Sequence, residues 1–171
     1  QGHRVTARSV IRQALLVKSK MPIMPARRRS EDYLRRIISQ VINYPGISLR
    51  IRRARLTVQQ YQTSLLRYAK FLLNAIDATK RGGRNPFIFA VAVVYSADLL
   101  MAKIAKRRAI LTQGLISDAT GAAEYSVRDH YAKVLKKRLL TILSEDKFHK
   151  LKRSHDQHEE RECQDRTEWN E

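Results

Sequence analysis

Residues 87–100 contain a single charge, Asp98, and their apolar side chains point in every direction around a helical axis. A helix with no solvent face belongs at the centre of a bundle, where other helices cover it on all sides. Its fourteen residues fall short of the roughly 20 that a bilayer crossing needs. Asn85-Pro86 opens it with a capping side chain followed by Pro at the first helical position, where a missing N–H costs nothing. The chain must therefore supply several amphipathic helices around this one.

The flanking sequence supplies them, and strand patterns are hard to find. Tyr33, Leu34, Ile37, Ile38, Val41 and Ile42 form a two-row stripe. Ser30 is its expected N-cap, Glu31 and Asp32 suit the first turn, and Pro45-Gly46 is the expected stop. Thr57 is the expected cap of a longer helix whose face runs through Val58, Tyr61, Leu65, Ala69, Leu72, Leu73 and Ile76 to a stop at Gly82-Gly83. Behind the central helix, Lys103–Arg108 reads as a basic connection. Leu111–Thr120, a turn at Gly121–Ala123 and Glu124–Leu140 then have the proportions of a helix-turn-helix. In the last helix Val127, Tyr131, Val134, Leu135 and Leu139 are expected to face inward, with Arg128, Lys133, Lys136 and Lys137 off that stripe. The expected fold is all-α.

Two end segments read differently. Residues 4–20 carry Val10, Ile11, Ala14 and Leu15 at helical spacing, and the prolines of Met21-Pro22-Ile23-Met24-Pro25 end that pattern before the basic run Arg27–Arg29. Beyond Leu143 hydrophobicity collapses, so 144–171 is expected to be a disordered or frayed tail. The opening Gln1-Gly2-His3 reads as a protease-site scar on a fragment of a longer protein.

The charge is divided the same way. Of 34 Lys/Arg and 16 Asp/Glu, residues 144–171 hold six and nine, leaving 28 and seven in 1–143. The body is thus +21 and the tail −3. A folded body that basic repels itself and suits a polyanionic partner, nucleic acid first and an anionic membrane as the alternative. Cys163 is the only cysteine, so no disulfide framework is available and a reducing compartment is expected. No signal peptide is read.

Three motifs in order carry a resemblance. Gly83-Arg84-Asn85-Pro86 leads into Ala90-Val91-Ala92-Val93-Val94-Tyr95. Leu111-Thr112-Gln113 continues to Ile116-Ser117-Asp118-Ala119-Thr120-Gly121, and Ser126-Val127-Arg128-Asp129-His130-Tyr131 follows. Their order and spacing over residues 30–143 resemble the second cyclin-like repeat of the transcription factor B family (eukaryotic TFIIB, archaeal TFB and their relatives). The resemblance implies a five-helix repeat with a buried third helix and a C-terminal helix-turn-helix. It makes residues 4–20 a candidate for the end of a truncated first repeat. It also implies a DNA-binding transcription initiation module that works as a monomer, and the long extra tail and the divergence favour the nucleus over an archaeal cytoplasm. TATA-binding protein and the RNA polymerase machinery are the implied partners of the full-length protein. The family's zinc ribbon has no counterpart here, the loop at Arg50–Arg55 is unusually basic, and the acidic tail is extra, so a divergent relative fits best.

Carried over by position, Tyr125, Ser126 and Arg128 are the candidates for the major groove, because recognition helices use their N-terminal residues on base edges. Tyr125 departs from the small apolar residue common in the family. For Arg128 the alternative is an ion pair with Glu124 one turn back. Lys106, Arg107, Arg108, Lys133, Lys136 and Lys137 suit phosphates, which position a protein without reading sequence; the alternative is an ordinary charged surface. Arg50, Arg52, Arg53 and Arg55 form a second cluster, for DNA or an acidic partner.

Enzymatic patterns are missing: the seven body carboxylates are scattered, with no phosphate loop and no nucleophile motif. His155, His158 and Cys163 match no standard zinc spacing, so neither metal nor cofactor is expected. His130 is expected at the core edge without a catalytic partner. Two competing readings remain. One is a cyclin-fold interaction scaffold without direct DNA binding, which has no need of so basic a body. The other rests on residues 57–67, which resemble the DNA-clamping domain of tyrosine recombinases over one helix, with no room for the catalytic domain.

Overall fold

The computed structural model describes residues 29–144, together with Val10–Gln13 and Leu16. The predicted tail from 145 onward, the opening tripeptide, Arg27, Arg28 and the His155/His158/Cys163 group lie outside the described residues, as does most of 4–20. All regular structure among the described residues is helical. The elements are α1 (Ser30–Ile42), α2 (Ile47–Arg53), α3 (Val58–Asn74), the single turn α4 (Ala78–Arg81), α5 (Pro86–Ile104), α6 (Gln113–Thr120) and α7 (Glu124–His130). From α7 the chain runs through a π-helical turn, Tyr131–Leu135, into α8 (Lys136–Ser144).

Helix α5 is the centre. It packs most extensively on α3 and α1, and also on α6, α7, the π turn and α8. Its apolar side chains are buried around the full circumference, and Lys103 is its first exposed residue. Val91, Val93 and Val94 are mediocre helix formers, at a cost of up to about 0.7 kcal/mol each relative to Ala. Their complete burial contributes about 1.5–3 kcal/mol each, so packing decides the conformation. The helix has 19 residues, five more than the predicted fourteen, and in length and hydropathy it would qualify as a membrane span. The length argument therefore fails, and what marks it as a core helix is that 72% of its most apolar window is buried in the bundle.

The predicted caps are largely present. Thr57 Oγ1 accepts from Gln60 N at 3.1 Å, and Asn85 Oδ1 accepts from Phe87 N and Ile88 N at 3.0 and 3.3 Å. Ser30 is instead the first residue of α1, and the Arg29 N–H donates to the Asp32 carboxylate at 2.7 Å. The stripe Leu34, Ile37, Ile38 and Val41 is buried as expected.

Four features differ from expectation. Much of Arg50–Arg55, expected as a loop, belongs to α2 (Ile47–Arg53), because Ile47 and Ile51 lie one turn apart and both are fully buried. The α3 helix stops at Asn74 rather than at Gly82-Gly83, and Ile76 reaches the core from the connection that follows. Val58 is exposed, not part of the α3 core face. The π turn adds a change of phase within the last helix. With the ladder widened so that Lys136 N donates to Tyr131 O, Val127 and Leu135, Leu139 and Ile142 all face the core.

Candidate nucleic-acid interface

The α5–α6 connection starts from a backbone under strain. Lys106 has φ +49°, Lys106 N donates to Lys103 O, and Arg107 N donates to Ala102 O. This is the Schellman termination, with lysine where glycine is the usual residue. It turns Arg107 inward: only 15% of that side chain is exposed, and its Nη2 lies 3.9 Å from Asp98 Oδ1.

Asp98, the single charge of the predicted central helix, organises the connection from inside the core. It is fully buried, and its carboxylate accepts from the Leu111 N–H at 2.7 Å and from the Tyr61 hydroxyl at 3.2 Å. Burial raises its pKa above the ordinary carboxylate value, against the pull of the Leu111 N–H, Arg107 and Tyr61. The same burial, together with Asp98, drives the Tyr61 hydroxyl well above its usual value. Asp98 thus ties α3, α5 and the start of the α6 segment together.

Beyond Leu111 the short helix α6 and the helix α7 follow, joined through Gly121. Thr112 Oγ1 caps α6 by accepting from Leu115 N at 3.2 Å. Gly121, at φ +70°, ends α6 with its N–H on Ser117 O at 2.8 Å. Ala122 is buried, and α7 starts at Glu124 with Val127 fully buried against the core.

Tyr125 is 76% exposed and Ser126 is partly exposed, both in the first turn of α7. Arg128 carries the Glu124 pair that was its alternative, at 2.6 Å, and its Nε also donates to Gln113 Oε1 of α6 at 3.2 Å. Lys133 is likewise paired, 2.7 Å from Asp129, which it holds below the usual carboxylate range while its own pKa rises. Lys106, Arg108, Lys136 and Lys137 are exposed.

Four of the six predicted phosphate residues line two clefts, and Lys106 and Lys136 line neither. Arg107 and Arg108 join Arg50 and Arg53 of α2 around one of about 530 Å³. Lys133 and Lys137 join Asp77, Lys80, Arg84 and Arg138 around another of about 490 Å³, with Ala75, Ile76, Val134 and Thr141. Lys80, Arg84 and Arg138 were not among the sequence candidates. In the sequence Arg84 belongs to Gly83-Arg84-Asn85-Pro86, read as a helix start and as part of the resemblance but not as a site. Its Nη1 donates to His130 Nδ1 at 3.1 Å, and burial together with the Arg84 charge lowers the His130 pKa. His130 also meets Phe89 edge-on, 5.9 Å between ring centroids. Tyr95 and Tyr131 form a second such pair at 5.3 Å beside the π turn.

No protein-family model, curated protein or solved structure matches the chain. Among the described residues no group of His, Cys, Asp and Glu is placed to hold a metal ion.

Proposed function

We propose that this chain is the DNA-binding module of a TFIIB-related transcription initiation factor, built as a cyclin-like repeat over 30–143. The observation that carries the reading is the α6–Gly121–α7 unit, seated on the buried α5, with Tyr125 projecting 76% exposed from the first turn of its second helix. Tyr125, Ser126 and Arg128 are the residues for base edges. Lys106, Arg108, Lys133, Lys136 and Lys137 serve phosphates, and Arg107 contributes from a more buried position. TATA-binding protein and the RNA polymerase machinery are the partners of the full-length protein, which acts as a nuclear monomer without enzymatic activity, cofactor or membrane.

The pairing of Arg128 does not stand in the way. An exposed i,i+4 ion pair contributes about 0.3–0.5 kcal/mol, whereas a bidentate arginine on guanine discriminates by about 1–3 kcal/mol. Exchange of Glu124 for a base edge is therefore downhill. The scaffold alternative is less well supported, because the two clefts described above are rimmed by Arg and Lys, which suits anions better than an apolar peptide.

The test is binding to fluorescent duplex DNA over a salt series. With four to six phosphates engaged, log affinity is expected to fall with log salt at a slope of about −4 to −5. Lys136→Ala/Lys137→Ala should weaken all duplexes alike, and Arg128→Ala should relax preference for one of them. A chain that ignores duplex DNA at low salt defeats the reading.

A further inference from the structure

We propose that the cleft between the C-terminal end of α2 and the α5–α6 connection is a phosphate-binding site. Four arginines surround it, Arg50, Arg53, Arg107 and Arg108, over an apolar floor of Ala54, Ala109 and Ile110, and none of its lining residues is acidic. Arg107 has the buried Asp98 carboxylate 3.9 Å away, whereas Arg50, Arg53 and Arg108 have no acidic neighbour among the described residues, so their guanidinium groups repel one another and favour an anion in the space between them.

Two independent features support this. Arg50 Nη1 donates to Ile110 O at 3.2 Å, so α2 and the connection are held together with their cations facing one space. Arg107 Nη2 is buried 3.9 Å from Asp98 Oδ1 without a hydrogen bond, so that carboxylate holds the Arg107 charge only at long range. Backbone strain gathers at the same place. Among the described residues the non-glycine positions with positive φ are Arg55 and Lys106, at +58° and +49°, and each ends the helix that borders the cleft.

The chemistry points to a phosphate oxyanion. Arginine's planar fork donates two parallel hydrogen bonds to phosphate oxygens, which lysine cannot do. No aromatic side chain lines the cleft for a base to stack on, so it takes the phosphate and not the base. The phosphate comes either from a duplex backbone or from a free oligophosphate. The duplex source rests on the proposed function, which already gives Arg107 and Arg108 to phosphates, whereas binding of a free oligophosphate does not depend on it.

The probe is inorganic tripolyphosphate, titrated calorimetrically into the full chain. Arg53→Ala/Arg108→Ala is expected to weaken it by about 10-fold or more, because each loses charge-assisted bonds. Lys133→Ala/Lys137→Ala, which alters the other basic cleft, should weaken it by no more than about 2-fold, the loss of general charge alone. Arg53→Lys/Arg108→Lys, which keeps the charge without the fork, should fall between. No binding by the wild type, or equal losses in both alanine pairs, overturns the proposal.

A salt series on duplex DNA then separates the sources. A slope shallower by about 2 in Arg53→Ala/Arg108→Ala assigns the phosphate to a nucleic-acid backbone. An unchanged slope, with the tripolyphosphate loss intact, assigns it to a free oligophosphate. If the wild type binds no DNA at all, the tripolyphosphate result still decides the cleft.

Discussion

Removal of the Asp98 carboxylate should destabilise the body by about 2–4 kcal/mol. Asp98→Ala strands two buried donors, the Leu111 N–H at 2.7 Å and the Tyr61 hydroxyl at 3.2 Å. Each costs about 1–3 kcal/mol when left unsatisfied. Part of that is offset, because the mutant no longer holds a charge out of water, the leading cause of the raised Asp98 pKa. Asp98→Asn keeps an acceptor for the Leu111 N–H without the buried charge, so its cost should be about 1.5 kcal/mol or less. Urea denaturation reads both directly. In thermal melts the alanine variant should lose about 8–16 °C, at about 4 °C per kcal/mol for a body of this size. Amide exchange at Leu111 should quicken in Asp98→Ala and stay near wild type in Asp98→Asn.

The pH dependence has a defined sign. Because the folded pKa of Asp98 is raised above 3.8, the stability it contributes is complete below that value and declines as pH rises through the folded pKa. The stability difference between wild type and Asp98→Asn should therefore shift against the wild type over that interval. Equal costs for Ala and Asn, or an Ala variant within about 0.5 kcal/mol of wild type, would refute the role of Asp98 as the tie between α3, α5 and α6.

Other perturbations have equally definite outcomes. Lys106→Gly should raise stability by about 1 kcal/mol in urea, since it relieves a left-handed residue at a helix end, and Arg55→Gly should act similarly. Gly121→Ala should lower stability by about 1 kcal/mol through backbone strain alone, because a Cβ there meets no atom within 4 Å. His130 has a folded pKa below 6.5, so its contribution is present above 6.5 and lost as pH falls through the folded value. An NMR titration of its ring should give a midpoint below 6.5, and Arg84→Ala should move it upward.

Much of the fold was legible because it follows from local rules. The α5 segment has no polar face, Thr57, Asn85 and Thr112 cap through their own side-chain oxygens, and Gly121 ends α6 in the left-handed region. What stayed hidden depends on distant partners. Residues 47–53 form a helix because Ile47 and Ile51 find the core, a fact that Pro45-Gly46 and three arginines conceal. The π turn at Tyr131–Leu135 leaves no mark in the apolar pattern.

The site was legible in kind and not in arrangement. Lys106, Arg107 and Arg108 look equivalent in sequence, yet the left-handed Lys106 and the buried Asp98 turn only the middle one inward. Arg50 and Arg53 were visible as a cluster, but their meeting with Arg107 and Arg108 depends on the packing of α2 beside the connection. The same applies to Lys80 and Arg84, which only the tertiary fold brings to Lys133 and Lys137.

The most direct measurement is amide NMR of the isotope-labelled chain titrated with a duplex of about 15 base pairs, long enough to span one recognition helix and its flanking phosphates. The largest shifts are expected in the turn and first helical turn, residues 121–128, with Tyr125 and Arg128 foremost. Shifts confined to α1 and α3, with 121–128 unmoved, would contradict the assignment of α7 as the helix that meets DNA.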